Sequence, residues 1–236
     1  VPAFRAPAIR ATLGAKCENT KAEATRNAMS DSTIQARLER LLDRTEIFDL
    51  VRFERLCRDQ RDFPGMIACY VPNASVRTSW FDGTVEDFAE ASRKKMVSGA
   101  SQAKHWIMPA RLEFNDDRAL VESPAVIFDR MTFDGVAFDM FQYCRFFSRL
   151  LKTADGWKLA SFEGIYQRDR LETVDPRDEL PVDWEMIKTL RPSYKFMGYT
   201  QIRRGYTLNP ELLGDDRPDL VEAFYKREQA WLENGK

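Results

Sequence analysis

A single histidine, His105, stands in a sequence of 236 residues, and this scarcity limits the available chemistry more than any motif present. A His-rich zinc or non-haem iron site cannot be assembled within one such chain. The patterns GxGxxG, GxxxxGK followed by Ser or Thr, and GxSxG are all missing. Their absence removes the usual sequence warrants for dinucleotide binding, phosphate cradling and a serine-hydrolase elbow. The four cysteines, Cys17, Cys57, Cys69 and Cys144, have no CxxC spacing, and a chain of this size does not need disulfides, so free thiols are expected. No stretch approaches the roughly 18 apolar residues of a membrane-spanning helix. Charge of one sign is also lacking: the net charge is −1, and the longest basic run is Arg93-Lys94-Lys95. That distribution leaves no electrostatic footprint for nucleic acid. The paired acids Asp116-Asp117 and Asp215-Asp216 lie in turn-like contexts, which explain them without a metal. Chemistry by side chains with no cofactor, or no chemistry, is what these absences leave.

What is present is a 44% hydrophobic chain, enough for one sizeable core with extensions. Residues 1–30 are expected to be disordered, because the Ala/Arg-rich start has no acidic residue before Glu18 and no sustained apolar periodicity. This segment has the composition of an organellar transit peptide but lacks the serine enrichment; sequence upstream of a natural start at Met29 is the other reading. A soluble, cytoplasmic protein is expected. Residues 31–174 form the predicted domain, and 175–236 a C-terminal extension that packs on the core or on a partner subunit.

Within the domain, Leu38, Leu41, Leu42, Ile47, Leu50, Val51, Phe53 and Leu56 recur at three- and four-residue steps, which predicts an amphipathic helix running to about Asp59. Asp62 before Phe63-Pro64 starts a short second helix carrying Met66, Ile67 and Tyr70. A short strand follows over Ser75–Trp80, then an Asp82-Gly83 turn, then a third helix opened by Thr84-Val85-Glu86-Asp87, with Phe88 and Met96 inward, ending near Gly99. Long β-like runs occupy His105–Phe114, Ala119–Arg130, Val136–Lys152 and Trp157–Arg170, separated by Asn115-Asp116-Asp117, Asp134-Gly135 and Asp155-Gly156. Helices followed by a long meander predict an α+β fold with a curved, mainly antiparallel sheet. A terminal helix over Pro218–Trp231 offers Leu220, Val221, Phe224, Tyr225 and Trp231 as one packing face.

Two residues stand out, although a partly buried histidine satisfied by hydrogen bonds is the ordinary structural reading of His105. His105 begins an apolar strand beside Trp106. Asp59 ends the first helix, where the macrodipole disfavours negative charge, while Asp62 already supplies the next helix start. Arg44-Thr45-Glu46-Ile47 through Asp59, then Arg61-Asp62-Phe63 and Cys69-Tyr70-Val71-Pro72-Asn73-Ala74, resemble the opening of SnoaL-like members of the NTF2 superfamily. His105-Trp106 leading into Arg111-Leu112-Glu113-Phe114 and Asp116-Asp117-Arg118-Ala119 resembles the same superfamily, especially its scytalone dehydratase and lindane dehydrochlorinase branches, and Asp155-Gly156-Trp157-Lys158-Leu159 matches its last hairpin. The resemblance covers about residues 34–172. It implies a cone-shaped NTF2-like fold, with the N-terminal helices packed in the curved sheet and a C-terminal helical extension. It also implies an Asp59–His105 catalytic dyad. The second histidine of the dehydratase branch is missing, and Glu54 stands about where the dehydrochlorinase branch has a basic residue, which puts chloride chemistry in doubt.

A neutral imidazole is a competent base, and an aspartate on its other nitrogen fixes the tautomer and stabilises the imidazolium. Arg145, Tyr143 and Tyr70 are candidates to meet developing negative charge, although the face carrying Phe141, Tyr143, Arg145 and Phe147 could equally meet a subunit. Phe53, Trp80, Trp106 and Met140 are candidate pocket walls; ordinary core is their structural alternative. The reading is a cofactor-independent, dehydratase-type lyase or isomerase for a small, largely apolar molecule, in a homo-oligomer (dimer or trimer). A non-catalytic ligand-binding or scaffolding module, or an accessory subunit of a larger oxygenase, are the alternatives.

Overall fold

Helix-forming sequence comes first and strand-forming sequence second, and the computed structural model, which describes residues 31–97 and 103–234, keeps that order. The expectations for residues 1–30, for Cys17 and for a helix end near Gly99 fall outside the described residues. The chain divides after Asp43 into two units, and everything that follows from Arg44 onward concerns the second.

Helix α1, Asp31–Gln60, spans the division. Its core-facing residues are Ile47, Phe48, Val51, Glu54, Arg55, Cys57, Arg58 and Asp59. The stripe therefore differs from the one its leucines predict: Leu38, Leu41, Leu42, Phe53 and Leu56 are all exposed, and charged residues hold the inward positions of the last turns. Asp62 caps α2 (Phe63–Ala68) by accepting from the Gly65 amide at 3.0 Å, with Pro64 in the first turn. Strand β1, Tyr70–Arg77, begins earlier than expected and takes Tyr70 out of the helix. The expected Asp82-Gly83 turn is instead strand β2 (Asp82–Thr84), antiparallel to β1. Helix α3, Val85–Val97, buries Phe88 and Met96 as expected.

The first long β run is broken. Pro109 has no amide hydrogen, so the chain forms β3 (Lys104–Ile107) and β4 (Arg111–Asn115), which pair with successive parts of one strand, β5 (Arg118–Phe133). Strands β6 (Val136–Thr153) and β7 (Gly156–Thr173) complete a seven-stranded sheet ordered β2-β1-β7-β6-β5-β3, with β4 also on β5. Among the strands of the described residues only the β1–β7 pair is parallel, so the curved sheet is mixed, mainly antiparallel, and the α+β class is as expected. Register shifts interrupt the β6–β7 ladder at Tyr143/Cys144 and Arg149/Leu150, which bends these long strands.

One face of the sheet shares a core with α1, α2 and α3 through residues such as Ile47, Val51, Met66, Phe88, Leu150 and Phe162. After Thr173 come α4 (Trp184–Lys188), a 3-10 turn at Pro192–Tyr194, α5 (Lys195–Arg203) and α6 (Pro218–Asn234). Tyr194 and Met197 join the same core. Helix α6 instead covers the opposite face, where Phe224, Trp231 and Leu232 cluster with Leu120, Phe147 and Ile165. Cys57, Cys69 and Cys144 are buried free thiols.

Candidate active site

The last turn of α1 meets the start of β3 at Asp59 and His105. The Lys104 ammonium donates to the Asp59 carbonyl, placing a cation at the helix C-terminus and easing the unfavourable carboxylate there. Both oxygens of the Asp59 carboxylate face His105: Oδ1 lies 2.7 Å from Nδ1, and Oδ2 accepts from the His105 backbone amide at 2.7 Å. Two bonds from one residue fix the carboxylate and ring together. Burial raises the Asp59 carboxyl, but the hydrogen bonds from His105 outweigh it and hold the group below its ordinary value. Burial dominates at His105 and, helped by the Arg58 and Arg55 charges, lowers the imidazole to about 4 despite the opposing pull of Asp59. The ring is neutral at physiological pH. An ionised carboxylate can only accept, so Nδ1 carries the proton and Nε2 is left as the basic nitrogen. Among the described residues Nε2 has no hydrogen-bond partner.

His105 borders a cavity of about 70 Å³, while Asp59 lies behind it. Since one water needs roughly 10–15 Å³ by this measure, the space exceeds a single solvent site. Trp80, Phe88, Ile127, Met140, Phe146 and Phe162 supply an apolar wall; Arg58, Thr78, Gln142 and Gln201 are among the polar residues opposite or between them. Trp80 and Met140, two of the candidate wall residues, line this cavity.

Five other candidates lie elsewhere. Phe53 is 53% exposed on the outer side of α1. Trp106 follows His105 on β3 and so points to the other face, 66% exposed against Phe128. Tyr143 and Arg145 alternate with Gln142 and Phe146, which takes them off the cavity side; Tyr143 lies under the Arg168 guanidinium, and Arg145 pairs with Asp215 at 2.8 Å. Phe147 on that face packs against α6. Tyr70 is buried but donates to Glu54 at 3.0 Å, away from the cavity. Glu54 in turn is held by Arg55, whose Nε donates to Oε2 at 2.6 Å. This acid is a neutralised core group.

Sequence reasoning missed Arg55, Arg58, Asp129 and Gln142 around the cavity. Arg55 and Arg58 could have been found, because Val51, Arg55 and Arg58 continue the stripe that Ile47 starts. Asp129 and Gln142 had no such signal: each is one polar residue in a long strand whose inward face the alternation alone does not identify. No group of three His, Cys, Asp or Glu residues able to hold a metal is found among the described residues.

Comparison with known proteins agrees with this architecture. Residues 39–163 match the SnoaL-like domain. The chain is 27% identical to a PEP2-like protein of Fusarium vanettenii over 204 residues, 82% of this chain and 87% of the relative. It is 29% identical to pea pathogenicity protein 2 of the same fungus over 164 residues, 68% and 70% of the respective chains. Among solved structures, a hexachlorocyclohexane dehydrochlorinase of Novosphingobium barchaimii aligns with a TM-score of 0.50 at 16% identity, covering 62% of this chain and 99% of the other. At that identity the likeness establishes the shared fold. With its helices, curved sheet and family match over more than half its length, this chain belongs to the SnoaL-like family.

Proposed function

We propose that the protein is a lyase or isomerase in which His105 removes a proton from carbon and Asp59 orients the ring. The observation that carries this reading is the 2.7 Å contact between His105 Nδ1 and Asp59 Oδ1 at the edge of a cavity. In the elimination form, Nε2 takes the C–H proton, the electron pair forms the new double bond, and a β-hydroxyl departs as water with the proton returned by the imidazolium. Reprotonation at another carbon would make the same base an isomerase. Positioned general-base catalysis contributes on the order of 10²–10⁴-fold, so orientation and stabilisation of developing negative charge must supply the rest. Arg58, which lines the cavity, suits that second role better than Arg145, which does not. Homo-oligomerisation belongs to the same proposal, because Leu56, Trp106 and Met108 are each more than half exposed along one surface groove.

The alternatives of a binding module or an oxygenase subunit account less well for these features. A cavity filled by side chains, or Asp59 and His105 out of reach, would have favoured the first. An unpartnered apolar C-terminal segment would have favoured the second, whereas α6 buries Phe224 and Trp231 on its own sheet.

The test is carbon-proton exchange in D2O with a panel of aryl ketones and β-hydroxy carbonyl compounds, followed by proton NMR. Wild-type protein is expected to exchange or dehydrate at least one of them, with His105→Ala slower by about 10²-fold or more. Equal rates in the two proteins would remove His105 from the chemistry.

A further inference from the structure

Buried polar atoms are almost always hydrogen-bonded, so a concentration of unpaired ones in a single cavity is informative. Four residues that line the cavity beside His105 carry such atoms: Arg58 at Nε and Nη1, Thr78 at Oγ1, Gln142 at Oε1 and Gln201 at Oε1. Arg58 is the most demanding. Its side chain is 4% exposed, and Asp59, at 3.7 Å, gives its two short bonds to His105. Burial, followed by repulsion from Arg55, pulls Arg58 down to about 10, the sign of a cation short of compensation. Asp129, the acid that lines the cavity, is 3.4 Å from Arg204.

Gln142 presents the complementary chemistry. Its amide nitrogen donates to the carbonyls of Tyr143, Arg168 and Ser193 at 3.1, 3.1 and 3.2 Å. Three acceptors around one nitrogen fix which end of the amide is which, so Oε1 is a genuine unfilled acceptor. The cavity thus offers a buried guanidinium at one point and an amide oxygen at another, with Trp80, Phe88 and Met140 for an apolar body.

We propose that the cavity binds a small hydroxy acid, its carboxylate taken by the Arg58 guanidinium and its hydroxyl donated to Gln142 Oε1. The proposal rests on the reading of this cavity as the substrate site and narrows the substrate class from an apolar molecule to an organic acid with an apolar body. A carboxylate fits better than a neutral carbonyl because it supplies the missing negative charge as well as acceptor oxygens. It also sets the acid group apart from the hydroxyl that elimination expels.

Calorimetric titration with 3-hydroxy-3-phenylpropanoate and with its methyl ester tests this without requiring turnover. Wild-type protein is expected to bind the acid at least tenfold more tightly than the ester, and Arg58→Met to lose that preference. Equal affinity for acid and ester, no measurable binding of the acid, or an unchanged preference in Arg58→Met overturns the proposal. A second measurement covers folding: an arginine kept for a ligand is dispensable to the empty protein, so Arg58→Met should melt no lower than wild type. A lower melting temperature would make Arg58 a structural residue and defeat the proposal. His105→Ala should keep the acid preference. Acid binding in a protein that exchanges no carbon proton would leave this inference standing while the proposed chemistry fell.

Discussion

Burial and the Asp59 carboxylate act in opposite directions on His105, and burial is the larger influence. The consequence is a base that stays neutral far into acid. Because the imidazole is lowered from 6.5 to about 4, the competent neutral form is complete well below neutrality and is lost as pH falls through about 4. The pH profile of kcat/KM is therefore expected to be flat from about pH 5 to 7, with an acid limb near 4 rather than 6.5; a limb near 6.5 would mean a solvated ring. Asp59 is conspicuous in the sequence as an acid at the unfavourable end of a helix with no evident structural job, and His105 as the sole histidine, set beside it by the family resemblance. Arg58 was hidden by the same helix. Counting leucines drew attention to a stripe that faces outward, and the inward stripe near the site is charged.

At the scale of elements, turn chemistry was the most readable feature. Asp134 and Gly135 adopt φ of 50° and 84° in the β5–β6 turn, and Gly156 adopts 93° at the start of β7. Gly156 is held by two constraints at once, since a Cβ there would lie 2.3 Å from the Glu46 oxygen that accepts from the Trp157 amide at 2.9 Å. Gly156→Ala is expected to cost about 1–3 kcal/mol in urea unfolding, with the loss spread over the β6–β7 hairpin; a stability equal to wild type would show that the turn relaxes freely. The inward face of β6 was harder to read. Period-2 alternation separates Tyr143 and Arg145 from Gln142 and Phe146, but both sets are buried or half-buried, one under the helices and one partly under α6. Hydrophobicity cannot choose between two covered faces. The expected single run His105–Phe114 overlooks Pro109, whose missing amide leaves two strands on one partner.

For the molecule from Arg44 onward, the broad order of helices and then long strands followed from periodicity, which also marked the apolar face of α6 but not whether it covers this sheet or a partner subunit. The parallel β1–β7 pair did not, since it joins segments about 90 residues apart and no local pattern encodes it. That long-range pairing matters for the site: it sets Thr78 and Ser79, just after β1, beside Phe162 and Gly164 of β7 on the wall of the cavity that His105 borders. If Asp59 holds His105 in one neutral tautomer with the proton on Nδ1, nitrogen-15 NMR of the sole imidazole near neutral pH reads that proton's position. In wild-type protein Nδ1 should be protonated and Nε2 bare, and in Asp59→Asn the proton should shift toward Nε2, the form favoured by free histidine. A protonated Nε2 in wild type, or the same pattern in both proteins, would contradict the account.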